Sequence, residues 1–462
     1  MGDFNMKVDW EIQQGSRTRE SEFVECLRDG FLEQLIDEPT RGSAVLDWVL
    51  CNEPEVIREL KWNKGNYSGM REELAQIDWK IKLAGGTAEQ KWKEFLPEIR
   101  KMQLVGREML LHLVEHLVEE YGKDSTITQI ISSTRIHIMP SMNPDGYAMA
   151  ELEEYCMPTK GRYNKAGIDL NRNFPDVPVW DTSPPSSSSQ PETEAVMNWI
   201  LNETFVLSLS LHGGAVVASY PYDSRKEDSK SRGYSKCPDD DVFMYLAKNF
   251  SYNHATMYFG NECETTPYFK DGITNGADWY PFRGGMQDFN YIQGQCFELT
   301  VELSCCKNPP SYTLENFWNE SQISLINFFK LVHLGVKGQV LDHDGKPIKY
   351  ATVKVQDREN IIPFQTNQHG EYYRLLLPGT YKLEVSATGF QTKTFPLEIL
   401  DNVSNFSALV SDLRLSNNVL GSEAGQHSGI ASIVQENTIL LTSVFFSVLF
   451  SFNSLDRYVS ML

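Results

Sequence analysis

The 462-residue sequence contains no Cys-x-x-Cys pair, so its eight cysteines do not build a cysteine-based zinc finger. Its opening residues, MGDFNMKVDWEIQQGSR, hold no apolar stretch of the kind that makes a signal peptide, and none is expected. Met6 stands where a myristoylation motif needs Ser or Thr. The apolar run from Ile439 to Phe452 falls short of the ~20 residues of an ordinary membrane span. Basic charge is also scarce. Lys and Arg number 42 against 62 Asp and Glu, a net charge of −20. That balance argues against general nucleic-acid binding and suits a cationic ligand.

The chain is long enough for two or three domains, and 41% hydrophobic and 11% aromatic residues suffice for real cores. Cys26 and Cys51 lie early, and the other six cysteines fall between Cys156 and Cys306. Asn-x-Ser/Thr sequons occur at Asn202, Asn249, Asn319, Asn402 and Asn405. Together these fit a secreted glycoprotein domain with disulfides.

The chemistry-bearing residues concentrate in two stretches, GRYNKAGIDLNRNFP from Gly161 and LSLHGG from Leu209. Arg162, Asn171 and Arg172 are donors on Gly-flanked, irregular backbone. A guanidinium fork matches two carboxylate oxygens, so these three suit a carboxylate grip. His212 follows the apolar alternation Val206, Leu207, Leu209, Leu211 and precedes two glycines, which puts it at the end of a buried strand as a candidate metal ligand. FELTVELSC places Glu302 in a strand, and NGADWYPF supplies Tyr280 upstream. Two arginines, a His, a Tyr and a buried-strand Glu make a hydrolytic constellation.

These stretches, with SMNPDGY, DLNRNFPD, QPETEAVMNWI, SLSLHGGAVVASYPYD and GGMQDFNY, resemble the zinc metallocarboxypeptidases of the regulatory, basic-residue-specific branch. The resemblance runs from about Leu104 to about Ser416. It implies an α/β metallocarboxypeptidase core, a mixed sheet flanked by helices with its N-terminal strands missing, followed by an all-β transthyretin-like sandwich. It implies a zinc cofactor and removal of C-terminal Arg or Lys from peptides and proteins. Carried onto this sequence, His212 would bind zinc and Glu302 would be the catalytic proton acceptor. Arg162 would stabilise the oxyanion, and Asn171 and Arg172 would hold the terminal carboxylate. Tyr280 would close over the departing residue, and Asp223 and Gln287 would contact its basic side chain. The family's location implies a secreted protein or one on the outer face of the plasma membrane.

One part of that pattern is missing. The family carries a His-x-x-Glu zinc motif just before its first helix, and here Met102-Gln103-Leu104 leads straight into VGREMLLHLVEHLVEEYG. Val105, Met109, Leu110, Leu113, Leu117 and Tyr121 form that helix's buried stripe. A literal His-x-x-Glu occurs inside it, at His112 and Glu115, but helical spacing turns both opposite the stripe, toward solvent. Two of three zinc ligands are therefore absent, and this chain is not expected to hold catalytic zinc. The alternative to an enzyme is a zinc-free binding protein for peptide C-termini. Loss of the preceding strands is expected to expose a sheet edge.

The segments divide as 1–103, 104–333, 334–416 and 417–462. The first is charged and Trp-dotted, and MGDFN with FVECLRDGFLEQLIDEPTRGSAVLDWVLCNEPEVIREL resembles a fragment of the LINE-type retrotransposon endonucleases. There Asp3 and Asn5 would belong to a metal and phosphate site, but the rest of that domain is missing, which makes this a non-catalytic remnant. In the third segment, ATVKVQD and TYKLEVSA alternate strictly between Gly and Pro turns, as in a small β-sandwich. His343 and His369 read as turn residues there. SMNPDGY reads as a strand-ending Asn-Pro-Asp-Gly turn. The fourth segment, a polar spacer and an apolar tail, resembles a glycosylphosphatidylinositol signal, hence possible membrane attachment by a lipid anchor.

Overall fold

A computed structural model describes residues 105–149, 161–176, 188–225, 231–400 and 406–418, with the backbone of five short strands elsewhere. Those strands are β1 (Val8–Asp9), β2 (Gln14–Gly15), β3 (Glu33–Gln34), β4 (Leu50–Cys51) and β17 (Ser447–Phe452). Asp3, Asn5 and the remainder of the endonuclease-like segment lie outside the described residues.

The first half contains helices α1 (Val105–Glu120), α2 (Ser125–Ser133), α3 (Pro144–Met149), α4 (Pro191–Asn202), α5 (Asp240–Asn253), α6 (Gly276–Trp279), α7 (Met286–Ile292) and α8 (Leu314–Lys330). Between them run β5 (Thr134–Met139), β6 (Leu207–His212), β7 (Ala215–Tyr220), β8 (Ile273–Asn275) and β9 (Phe297–Ser304). They form one mixed sheet in the order β3-β4-β5-β17-β6-β9-β7-β8. β6 and β9 are parallel, while β7 runs antiparallel to β9.

The strand sequences decide which side chains meet which layer. Leu-Ser-Leu-Ser-Leu-His and Phe-Glu-Leu-Thr-Val-Glu-Leu-Ser alternate with period two, so like positions share a face. Leu207, Leu209, Leu211, Leu299, Val301 and Leu303 join the main core with Met109, Leu110 and Leu113 of α1 and with residues of α5 and α8. The alternate residues, His212 and Glu302 among them, point to the opposite face. There Val196, Trp199 and Ile200 of α4 pack with Met286 and Phe289 of α7. Fully burying one such aliphatic side chain contributes about 1.5–3 kcal/mol.

The buried stripe of α1 is broader than its spacing predicts. Arg107, Glu108, Leu111 and Val114 are buried too: Arg107 lies over the Tyr147 ring of α3 at 4.9 Å, and α8 packs against the helix as well. This corrects the solvent position expected for His112 and Glu115. His112 Nδ1 lies 3.7 Å from Glu115 Oε2, and the His112 ring stacks on Trp318 of α8 at 5.4 Å. Asn143-Pro144-Asp145-Gly146 is likewise a helix start rather than a turn. Asn143 Oδ1 accepts the Gly146 N–H at 2.9 Å, and Pro144 occupies the first helical position.

The sheet edge expected to be exposed by the missing strands is partly paired at β5. β4 pairs with one side of that strand and β17 with the other. No helix among the described residues is long and apolar enough to cross a membrane.

Beyond residue 335 the chain forms a β-sandwich. β10 (Val336–Leu341) pairs with β12 (Glu371–Arg374), β15 (Leu409–Val410) and β16 (Leu413–Arg414). Opposite it stand β11 (Thr352–Val355), β13 (Gly379–Ser386) and β14 (Lys393–Ile399). Ala351, Val353, Val355, Leu383 and Val385 fill its core, as their alternation predicts. The sandwich is tied to the first half through Asp239, which precedes α5 and is fully buried. Asp239 accepts from Arg358 and, at 2.9 Å, from Arg374, and also from Tyr291 and Asn360. Burial alone would raise its pKa, but the two guanidiniums outweigh that and hold it below the ordinary value.

Candidate functional site

The site forms where β6 and β9 end. His212 and Glu302 are register partners on adjacent parallel strands, with Nδ1 3.9 Å from Oε1. The other His212 nitrogen lies 3.1 Å from Ser210 Oγ. Burial, then Arg162 and Lys307, lower the His212 pKa to about 4, so the ring is neutral near pH 7. Glu302 is 6% exposed, and its Oε2 has no hydrogen-bond partner. Burial raises its pKa to about 7, while Lys307 and Arg162 oppose the shift.

The arginine stretch forms the adjoining wall. Asn164 and Asp169 shape it by accepting backbone N–H bonds from Ile168 and Asn171. Arg162 donates from Nε and Nη2 to Asp169 Oδ2, at 2.8 and 2.6 Å. Asn171 Oδ1 accepts the Met286 N–H at 2.9 Å, which pins the start of α7 and leaves the Asn171 amide N–H groups as the donors for a ligand. Arg172 lies over the Phe282 ring at 3.5 Å, and burial lowers its pKa from the usual arginine value. Tyr280 caps α6 and stacks on Phe282 at 5.6 Å, and the residue is 38% exposed. Burial, then the Glu302 charge, push its phenol to about 12.

Asp223 and Gln287 lie deeper. Gln287 Nε2 donates to Asp223 Oδ1 at 3.1 Å, and its Oε1 accepts the Thr300 N–H. Asp288 accepts from the backbone N–H groups of Asp223 and Ser224 and from Ser224 Oγ. Burial, then the neighbouring Asp288 charge, raise the Asp223 pKa well above the ordinary value. Gly276 is required here, because a Cβ would collide with Asp223 Oδ1.

The residues singled out by sequence thus gather in two coupled groups, one around Glu302 and one around Asp223. Lys307 and Asp288 belong to them as well. Their signals were modest: each sits beside a residue already singled out, Lys307 after the Cys305-Cys306 pair and Asp288 after Gln287.

The zinc carboxypeptidase profile matches residues 103–324, and a carboxypeptidase regulatory-like domain profile matches residues 335–407. Mouse carboxypeptidase M is 50% identical over 314 residues, which cover 68% of this chain and 70% of that one. The chain belongs to the zinc carboxypeptidase family. Human carboxypeptidase D is 46% identical over 305 residues, 65% of this chain but only 21% of the larger relative. Among solved structures, thrombin-activatable fibrinolysis inhibitor aligns at 18% identity and a TM-score of 0.40, over 67% of this chain and 71% of that one.

A carboxypeptidase zinc ion needs at least three protein ligands. Among the described residues, the only three His, Cys, Asp or Glu ligand atoms lying within 4.8 Å of one another belong to Asp342, His343 and Asp344. They occupy a turn of the sandwich. Among the described residues no such set surrounds His212, and the His112 ring is stacked on Trp318 of α8 with Glu115 beside it. The described donor set at His212 therefore does not fit the family's zinc. Beside it, Gly106 near the start of α1 lies so close to the Leu211 carbonyl that a Cβ would stand 2.6 Å from it.

Proposed function

We propose that this carboxypeptidase domain recognises peptides and proteins ending in Arg or Lys. The observation that carries the reading is the buried Asp223–Gln287 pair. It offers an acceptor for a cation in a place where no ion-pair partner stands among the described residues. A ligand guanidinium or ammonium would supply the missing charge. Asn171 and Arg172 would hold the terminal carboxylate, which confines recognition to chain ends. Tyr280 would cover the bound residue, and Arg162 with Lys307 would keep the adjoining wall positive.

Because the described residues at His212 do not fit zinc, the first reading is binding of the basic C-terminus. A second reading, removal of the terminal Arg or Lys, is favoured by one observation. Glu302 is buried with a free oxygen and a pKa near 7, the condition of a proton acceptor at neutral pH.

The setting we propose is extracellular. Cys263 and Cys305 form a disulfide, and the sequon residues Asn202 and Asn319 are exposed. Calorimetric titration separates the readings. A peptide ending in Arg should bind one to one, and its C-terminal amide at least about tenfold more weakly. Equal affinity for acid and amide would sink the recognition site. Release of free Arg would select the second reading over the first.

A further inference from the structure

We propose that the gap between β5 and β6 is a strand-accepting groove, and that this chain fills it with its own C-terminal segment, Ser447–Phe452.

The sheet order carries the argument. β5 and β6 do not pair with each other, and β17 stands between them. All six residues of β5 are buried, and so are Leu207 to Leu211 of β6. Two buried strands with unpaired facing edges would leave main-chain N–H and C=O groups without partners, each costing roughly 1–3 kcal/mol. β17 answers every position of β5 in antiparallel register, from Ser447 opposite Met139 to Phe452 opposite Thr134. On its other side Val448, Leu449 and Phe450 stand opposite Leu209, Ser208 and Leu207.

The sequence of the segment suits the place. Ser-Val-Leu-Phe-Ser-Phe has no charge, no proline and no glycine. Such a short, mostly apolar run fits a central strand covered on both faces, and is rich in residues that favour strands. The family match begins only at residue 103, so the matched part of the chain brings to this sheet only β5 to β9. Reach is no obstacle, because residues 419–446 can span about 90 Å when extended.

Direction links the segment to the site. β17 runs antiparallel to β6, so its first residues lie toward the end of β6 that carries His212. β17 therefore begins on the cleft side of the sheet. A strand held there by up to two ladders is not available as a lipid-anchor signal.

Hydrogen exchange with mass spectrometry on the full-length chain tests this. The amides of 447–452 should exchange at least about 100-fold slower than their intrinsic rates. Leu449→Asp should abolish that protection and raise exchange in 134–139 and 207–212. A chain ending at Phe446 should regain protection in those two strands when a synthetic peptide of residues 444–455 is added. Unprotected amides at 447–452 in the full-length chain would overturn the proposal. So would a mature protein from secreting cells whose C-terminus lies upstream of Ser447.

Discussion

Glu302 Oε1 lies 3.9 Å from His212 Nδ1, yet the two groups are pushed in opposite directions: burial lifts the carboxyl to about 7 and lowers the imidazole to about 4. Near neutral pH neither carries the full charge that a simple ion pair would need.

That relationship sets a pH dependence. Glu302 binds its proton more tightly folded than unfolded, so the folded state loses stability as pH rises from about 4.5 through 7. His212 does the reverse, and stability falls as pH drops from 6.5 through about 4. Glu302→Gln should therefore stabilise the protein at pH 8 by about 1–3 kcal/mol and matter little at pH 5. Urea unfolding at the two pH values checks it. A loss of stability at pH 8 would refute the assignment.

Asp223 should govern the preference for basic ends. Asp223→Ala should weaken binding of a peptide ending in Arg by roughly 10–100-fold and leave one ending in Phe within about twofold. Because burial keeps the free carboxyl protonated above its ordinary range, a bound cation should expel that proton. Affinity should rise with pH, and titrations in buffers of different ionisation heat should report proton release. Equal losses on Arg and Phe peptides would remove Asp223 from the specificity pocket.

Zinc should be sub-stoichiometric in the purified chain, and dialysis against a chelator should change neither its melting temperature nor its affinity for a peptide ending in Arg. A single imidazole does not make a catalytic zinc site. Stoichiometric zinc that disappears in His212→Ala would show that ligands outside the described residues complete the set.

The Cys263–Cys305 disulfide closes a sequence separation of 42 residues and fastens the chain just beyond β9. A loop of that size is worth about 4 kcal/mol in chain-entropy terms. Cys263→Ser with Cys305→Ser should lower the melting temperature by several degrees. It should also weaken peptide binding, since Lys307 lies two residues from the tether. Unchanged affinity would detach that loop from the site.

Much of this was legible in the chain. Strict alternation in LSLSLH and FELTVELS fixed which residues share the site face, and the sandwich strands followed from the same period. His112 and Glu115 were misplaced because a single helix's periodicity cannot foresee that α8 brings Trp318 over its second flank. Asn143 was read as a turn residue because Asn-Pro-Asp-Gly satisfies turn and helix-start chemistry alike, and only the Asn143–Gly146 bond separates them. The position of 447–452 was out of reach for another reason. A short apolar run states that it wants burial but not against what, and its partners lie some 300 residues away.

Asp239 limits how this molecule can be divided. It sits in the first half, while both guanidiniums that neutralise it, Arg358 and Arg374, arrive with the sandwich. A fragment cut at residue 333 would strip Asp239 of both guanidiniums and open its seam beside Tyr291 to water, and a lone sandwich would carry Arg358 and Arg374 without Asp239. The two halves thus share one buried charge cluster, and expressing either alone should give a product less stable than the joined chain.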